Sequence, residues 1–150
     1  MTRSISNLQQ LYEEDYTLWL DATVEKLRSS NYNEVDWNNL IEEIEDIERR
    51  EGQSLESNLV VVLLHLLKWQ FQPERQTGSW ESSLIEHRRR IRRALKSSPS
   101  LKNYLVSVVD ECYESVRKQA RAETQLSLEV FPVNCPYDVE DILNDEFLPD

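Results

Sequence analysis

The sequence predicts an all-α fold: an antiparallel four-helix bundle with one long central helix and an extended C-terminal tail that carries a short helix. Three observations predict it. Apolar residues recur at three- and four-residue spacing over most of the 150 residues, which is the period of amphipathic helices. Only 2 glycines and 5 prolines leave little turn chemistry for many short strands. The run from Leu59 to Gln70 is apolar on every helical face except at His65 and Lys68, so it reads as a helix buried on all sides. A chain of this length makes one domain able to bury roughly two-thirds of its unfolded surface. The expected organisation is therefore a single helical domain over 1–150, with an N-terminal arm over 1–10 and a tail over 125–150 packed on the bundle.

The first helix is expected from about Glu13 to Ser29, with the stripe Tyr12, Tyr16, Trp19, Ala22, Thr23 and Leu27. Asp15 stands one turn before Trp19 and has two readings, a carboxylate facing a polar pocket or a cap that accepts from first-turn amides, the second favoured. Asp36 is the expected cap of the next helix. From Trp37 a stripe runs through Leu40, Ile41, Ile44, Ile47, Glu51, Leu55, Leu59, Val62 and Leu66, and its phase survives Gly52. A glycine inside a helix costs only about 1 kcal/mol, so a continuous rod over 37–70 is preferred to a stop at Gly52. Its length would be roughly 50 Å at about 1.5 Å per residue.

Pro73 ends that helix. Ser79 is expected to cap a third, with Trp80, Leu84, Ile85, Ile91, Ala94 and Leu95 on its stripe and Arg88 interrupting it. Ser97-Ser98-Pro99 reads as a stop and restart, with Ser98 capping and Pro99 in the first helical position. The fourth helix carries Leu101, Leu105, Val108, Cys112, Val116 and Ala120 through about Thr124. Phe131 to Tyr137 follows as extended tail, and Asp138 caps one short turn of helix through Leu143. Short loops between long amphipathic helices make antiparallel neighbours.

Composition excludes several functions. The formal net charge of −11 opposes sequence-independent binding to DNA or to anionic membrane, which need positive potential, and would attract a basic partner instead. Cys112 and Cys135 form neither a disulfide framework nor a zinc pattern. The first residues, Met1-Thr2-Arg3-Ser4-Ile5-Ser6-Asn7, hold no apolar signal region, and the longest apolar run is far below about 18 residues. The chain is expected to be cytoplasmic and soluble.

Charge is segregated. Residues 36–56 hold eight acids against two bases, net −6, and residues 86–96 hold six bases against one acid, net +5. The arginine-rich stretch invites a nucleic-acid reading, but it lacks the interleaved aromatics of a stacking platform. Complementarity with the acidic helix is the preferred expectation. The tail from Asp138 to Asp150 is acidic and reads as solvated, unless Phe147 and Leu148 dock in a groove.

A polar centre is the remaining chemical signal. Glu51, Asn58, His65, Lys68 and Gln72 are separated by 7, 7, 3 and 4 residues and lie near one helix face. With Arg88 opposite, an acid, an imidazole, an ammonium and a guanidinium could meet between helices and shift one another's pKa values. General acid–base use of His65 is one reading. A buried structural network is the other and the preferred one, with His65 on a carboxylate and Arg88 on Glu43 or Asp46. No metal is expected, because a diiron bundle needs Glu-x-x-His on two helices and neither His65 nor His87 has that spacing. No cofactor is implied, since no nucleophile elbow and no glycine-rich phosphate loop is present.

Several segments together carry a family resemblance. Tyr12-Glu13-Glu14-Asp15-Tyr16-Thr17-Leu18-Trp19-Leu20, Leu40-Ile41-Glu42-Glu43-Ile44-Glu45-Asp46, Leu64-His65-Leu66-Leu67-Lys68-Trp69-Gln70, Ser79-Trp80 and Phe131-Pro132-Val133-Asn134-Cys135-Pro136-Tyr137 resemble the bacterial family called domain of unknown function twenty-nine. The resemblance covers nearly the whole chain from about Leu8. It implies an all-helical single domain and no particular activity. It also implies motif polar positions at Asp15, Glu43, His65, Lys68, Gln70, Trp80 and Arg88, with His87 standing where relatives would carry glutamine. Together with Asp46 and Glu51, these residues form the candidate pocket. Two functions are then open. The first is an interaction or regulatory module that binds a basic protein partner or itself, and the lack of catalytic spacing favours it. The second is an enzyme or small-ligand binder using His65, Lys68 and Arg88.

Overall fold

The computed structural model describes residues 5–150; Met1 to Ser4 of the expected N-terminal arm lie outside them. Six α-helices follow in order: α1 (Ile5–Glu14), α2 (Tyr16–Arg28), α3 (Trp37–Phe71), α4 (Gly78–Ser97), α5 (Leu101–Thr124) and α6 (Val139–Leu143). Single 3₁₀ turns cover Tyr32–Glu34, Pro73–Arg75 and Leu128–Val130, and no strand occurs among the described residues. The fold is all-α, with α3 as the long central helix. None of the described helices is long and apolar enough to cross a membrane. Contacts group the chain into two compact units, Met1–Arg50 and Glu51–Asp150, with α3 running through the boundary.

In the first unit, helix begins earlier than the periodicity places it and then breaks. Asp15 adopts extended backbone, and its carboxylate accepts from the Leu18 amide at 3.1 Å, so α1 ends and α2 is capped at one residue. Trp19 is fully buried, edge-on to Tyr12 at 4.8 Å, and its indole N–H donates to Asp36 at 3.2 Å. The buried Asp36 carboxylate also accepts from the Asn39 side chain at 2.7 Å. Glu43 accepts from the phenols of Tyr12 and, at 2.6 Å, Tyr16. The first two helices thus engage α3 through Asp36 and Glu43.

The expected apolar stripe does run along this part of α3, yet Ile41, Ile44 and Ile47 on it are 52, 58 and 56% exposed. Glu43 is about 100° around the helix from Ile44. Periodicity reveals which helix face is apolar, not whether anything covers it.

In the second unit the same face of α3 is buried. Leu55, Leu59, Val62, Leu63, Leu66 and Leu67 pack with Leu84 and Ile91 of α4 and Leu105 and Val116 of α5. The helix passes Gly52 without a break, and that glycine matters sterically: a Cβ there would lie 3.3 Å from the Tyr104 ring. Two caps differ from expectation. Thr77, not Ser79, caps α4 by accepting from the Trp80 amide at 3.2 Å. Ser98 closes α4 instead of opening α5, which starts at Leu101. Asp138 caps α6 by accepting from the Asp141 amide at 2.8 Å.

The tail belongs to this core. Phe131, Tyr137 and Ile142 are buried in it, with Phe147 and Leu148 packed against it. Tyr113 donates to the Pro132 carbonyl at 2.6 Å, and Arg117 donates to the carbonyls of Phe131 at 3.0 Å and Leu128 at 3.1 Å. Of its acidic residues, Asp138, Glu140, Asp145, Glu146 and Asp150 are exposed and Asp141 is partly buried.

Burial on the one helix predicts a contrast measurable by urea denaturation. Leu63→Ala should cost about 2–5 kcal/mol, the usual range for a large core truncation. Ile44→Ala should stay within about 0.5 kcal/mol of the parent chain, as surface changes do.

Candidate functional site

The nine candidate residues fall into separate settings. Asp15, Glu43 and Asp46 belong to the first unit and Glu51, His65, Lys68, Gln70, Trp80 and Arg88 to the second. Asp15 is the α2 cap. Glu43 is the acceptor of two phenols, which with the Arg50 guanidinium at 3.9 Å hold its carboxyl below the ordinary range. Asp46 pairs with Arg49 of its own helix.

Lys68 and Trp80 come together with Glu123, a residue that the sequence did not single out, and the charges of Lys68, His87 and Glu123 act on His65. Lys68 Nζ donates to Glu123 at 3.2 Å and stands 4.8 Å over the Trp80 ring. Desolvation pushes Glu123 up, but the Gln119 amide and the Lys68 ammonium outweigh it and hold the carboxyl below its usual value. The half-buried His65 bonds the Val61 carbonyl through Nδ1 at 2.8 Å. His87 does the same with the Ser83 carbonyl, also at 2.8 Å. A carbonyl only accepts, so Nδ1 carries the proton in each neutral ring and Nε2 keeps the lone pair. Burial pushes the His65 pKa down and the Val61 carbonyl opposes this; the charges of Lys68 and His87 lower it further, against Glu123.

This replaces the expected His65–carboxylate bond with a bond inside its own helix turn. The ammonium is paired with a carboxylate, and burial biases the imidazole to its neutral form. Among the described residues no group of three or more His, Cys, Asp or Glu side chains converges as metal ligands would.

Gln70 and Arg88 hold the tail. The Gln70 side-chain oxygen accepts from the Tyr137 phenol at 2.7 Å. Arg88 is fully buried and donates to the carbonyls of Ile142 at 2.8 Å, Asp141 at 3.1 Å and Phe147 at 3.0 Å. The expectation of Glu43 or Asp46 as its partner is corrected: backbone carbonyls take the guanidinium. The other α4 arginines also differ from the expected pairing with residues 36–56. Arg92 grips Asp145 through two bonds at 2.9 and 3.0 Å. Arg89 and Arg90 share Glu86, whose pKa their hydrogen bonds hold at about 2.

The surface feature that sequence reading missed is the ridge on the first half of α3. Trp37, Ile41, Ile44 and Ile47 are exposed at four- and three-residue spacing. Glu45 and Glu48 stand one turn beyond Ile41 and Ile44, and Glu42 lies farther round; all three are exposed. No cation lies within ion-pair distance of these three carboxylates among the described residues. The only bases of the segment, Arg49 and Arg50, are turned to Asp46 and Glu43. The signal was present in the sequence as a net charge of −6 beside the stripe, too acidic a border for a face closed against its own chain.

Two outcomes follow. Arg88→Ala should cost about 3–5 kcal/mol, because it leaves three buried carbonyls without a donor, and hydrogen exchange should accelerate across α6. The depressed His65 pKa means that the unfolded chain binds the proton more readily. Its contribution is intact above the ordinary value of 6.5 and is lost as pH falls below that toward the folded value. Between pH 7.5 and 5.5 the thermal midpoint should therefore fall more for the parent chain than for His65→Gln.

A family model described as "Domain of unknown function DUF29" matches residues 11–148. No curated protein and no solved structure gives a significant match. The match spans nearly the whole chain, which belongs to that family.

Proposed function

We propose that this DUF29-family chain is a protein-interaction module whose first unit receives a basic amphipathic helix on the ridge Trp37–Ile41–Ile44–Ile47. The carrying observation is the exposure of these four large side chains beside three carboxylates with no cation in ion-pair distance among the described residues. Water-exposed apolar area of this kind gives a favourable free energy when covered, about 25 cal/mol per Å². A contiguous, rimmed apolar patch is the usual mark of a partner surface.

Charge selects the partner. An identical ridge laid against this one would bring Glu42, Glu45 and Glu48 toward their own copies, a like-charge contact that disfavours association. A helix with leucine-type anchors at i, i+3 and i+7, bordered by lysine or arginine, satisfies both the ridge and its rim. The Lys68–Glu123 pair and the bonds of His65 and His87 to carbonyls of their own helix turns support the same reading over chemistry there.

Two designed helical peptides with the same leucine pattern test this, one bordered by lysine and one by glutamate. The lysine peptide should bind in isothermal titration calorimetry, more weakly at high salt. Ile44→Glu should abolish binding without loss of helicity, and Glu45→Lys/Glu48→Lys should shift preference to the glutamate peptide. Equal binding of both peptides, or lysine-peptide binding that survives Ile44→Glu, would overturn the proposal.

A further inference from the structure

The second unit has a different open feature, a cleft of about 650 Å³ between residues 51–58 of α3 and 90–98 of α4. Its size is that of a small-ligand site. Four serine hydroxyls line it, Ser54 and Ser57 from α3 and Ser97 and Ser98 from the end of α4. None of them bonds to an acceptor of the chain among the described residues, so all four are free to meet a ligand or water.

Arg90 and Arg93 supply the charge. Arg88 and Arg92 are committed to the tail. Arg90 gives only its Nε to Glu86, at 2.9 Å, and shares that carboxylate with Arg89. Its terminal amino groups are left for another acceptor. Arg93 is exposed and has no acidic partner within ion-pair distance among the described residues. Two guanidiniums and four hydroxyls exceed what one carboxylate can accept, whereas a phosphate monoester presents three terminal oxygens of higher charge. Leu55 and Ala94 form apolar wall, and Glu51 adds a lone acceptor at the same cleft. A bare anion would be repelled by Glu51. A ligand that carries hydroxyl groups beside its anion would donate to it.

We infer that this cleft binds a small phosphorylated polyol of the sugar-phosphate class, with Arg90 and Arg93 on the phosphate, the serine hydroxyls around it, and Glu51 on the ligand's hydroxyls. The inference is independent of the isoleucine ridge, since it uses residues of the second unit alone.

Amide chemical shifts of the full chain, titrated with glucose 6-phosphate, inorganic phosphate and glucose as separate probes, decide it. Glucose 6-phosphate should give saturable shifts confined to residues 51–58 and 90–98, phosphate weaker ones, and glucose none. Arg90→Ala/Arg93→Ala removes two exposed side chains and should weaken glucose 6-phosphate by about tenfold or more with the fold intact. Glu51→Gln should weaken glucose 6-phosphate but not phosphate, a split that general charge attraction would not produce. Absence of saturable shifts, unchanged affinity in the double variant, or equal response of both probes to Glu51→Gln would overturn the assignment.

Discussion

The second unit depends on one interaction, the burial of the Arg88 guanidinium against the tail. A charge taken out of water costs several kcal/mol unless its hydrogen-bonding capacity is met. Here three backbone carbonyls, of Asp141, Ile142 and Phe147, converge on one side chain. These carbonyls sit at and beyond a five-residue helix that could not persist alone. The requirement is mutual: without the tail the guanidinium is an unpaired buried ion, and without the guanidinium the end of α6 is an unsatisfied turn. Phe131, Tyr137 and Ile142 lie in the core along the same path, where Tyr113, Arg117 and Gln70 add bonds to the tail. The bidentate Arg92–Asp145 pair lies four residues along α4 and reinforces the same docking.

Helix α3 shows how one periodicity serves two ends. Its apolar face keeps phase from Trp37 to Leu66. From Leu55 onward that face is buried under α4, α5 and the tail. From Trp37 to Ile47 it stays open, while Asp36 and Glu43 hold α1 and α2 through an indole and two phenols. Polar side chains with defined geometry fix the first unit to the helix and leave the isoleucines unused. Hydrogen bonds to a charged acceptor are worth more than neutral ones and are directional, so a small unit with few buried apolar residues can still hold one arrangement.

Much of this was legible in the residues. The helix ends at Phe71 and Thr124, the continuity through Gly52, and the caps at Asp15 and Asp138 follow from local chemistry, because capping and helix periodicity act over a few residues. The polarity of His65, Lys68 and Arg88 on apolar stripes also showed where side chains would need internal partners. Which partners they found was not legible. Lys68 meets Glu123 across 55 positions and Arg88 reaches carbonyls more than 50 positions away, and a carbonyl leaves no trace in a sequence because every residue has one. The acidic and arginine-rich blocks were read as each other's complement for the same reason: net charge counts side chains but not the backbone acceptors and nearby carboxylates that satisfy them first.

Once internal pairing is subtracted, the surface divides by what remains. In the first unit what remains is apolar area with carboxylates that no arginine among the described residues neutralises. In the second it is a cleft with guanidinium groups and hydroxyls in excess of their acceptors. Neither remainder follows from the overall charge of −11, because the seven ion pairs among the described residues and the Arg88 clasp consume charge in an uneven way along the chain. Among the described residues, a stretch of six bases leaves Arg93 and Lys96 without an acidic partner, Arg93 facing a cleft, and a stretch of eight acids leaves three carboxylates beside an open ridge. Function is therefore better sought in the unpaired groups than in the charge-rich segments they come from, and it is the fold's own hydrogen bonds that decide which groups those are.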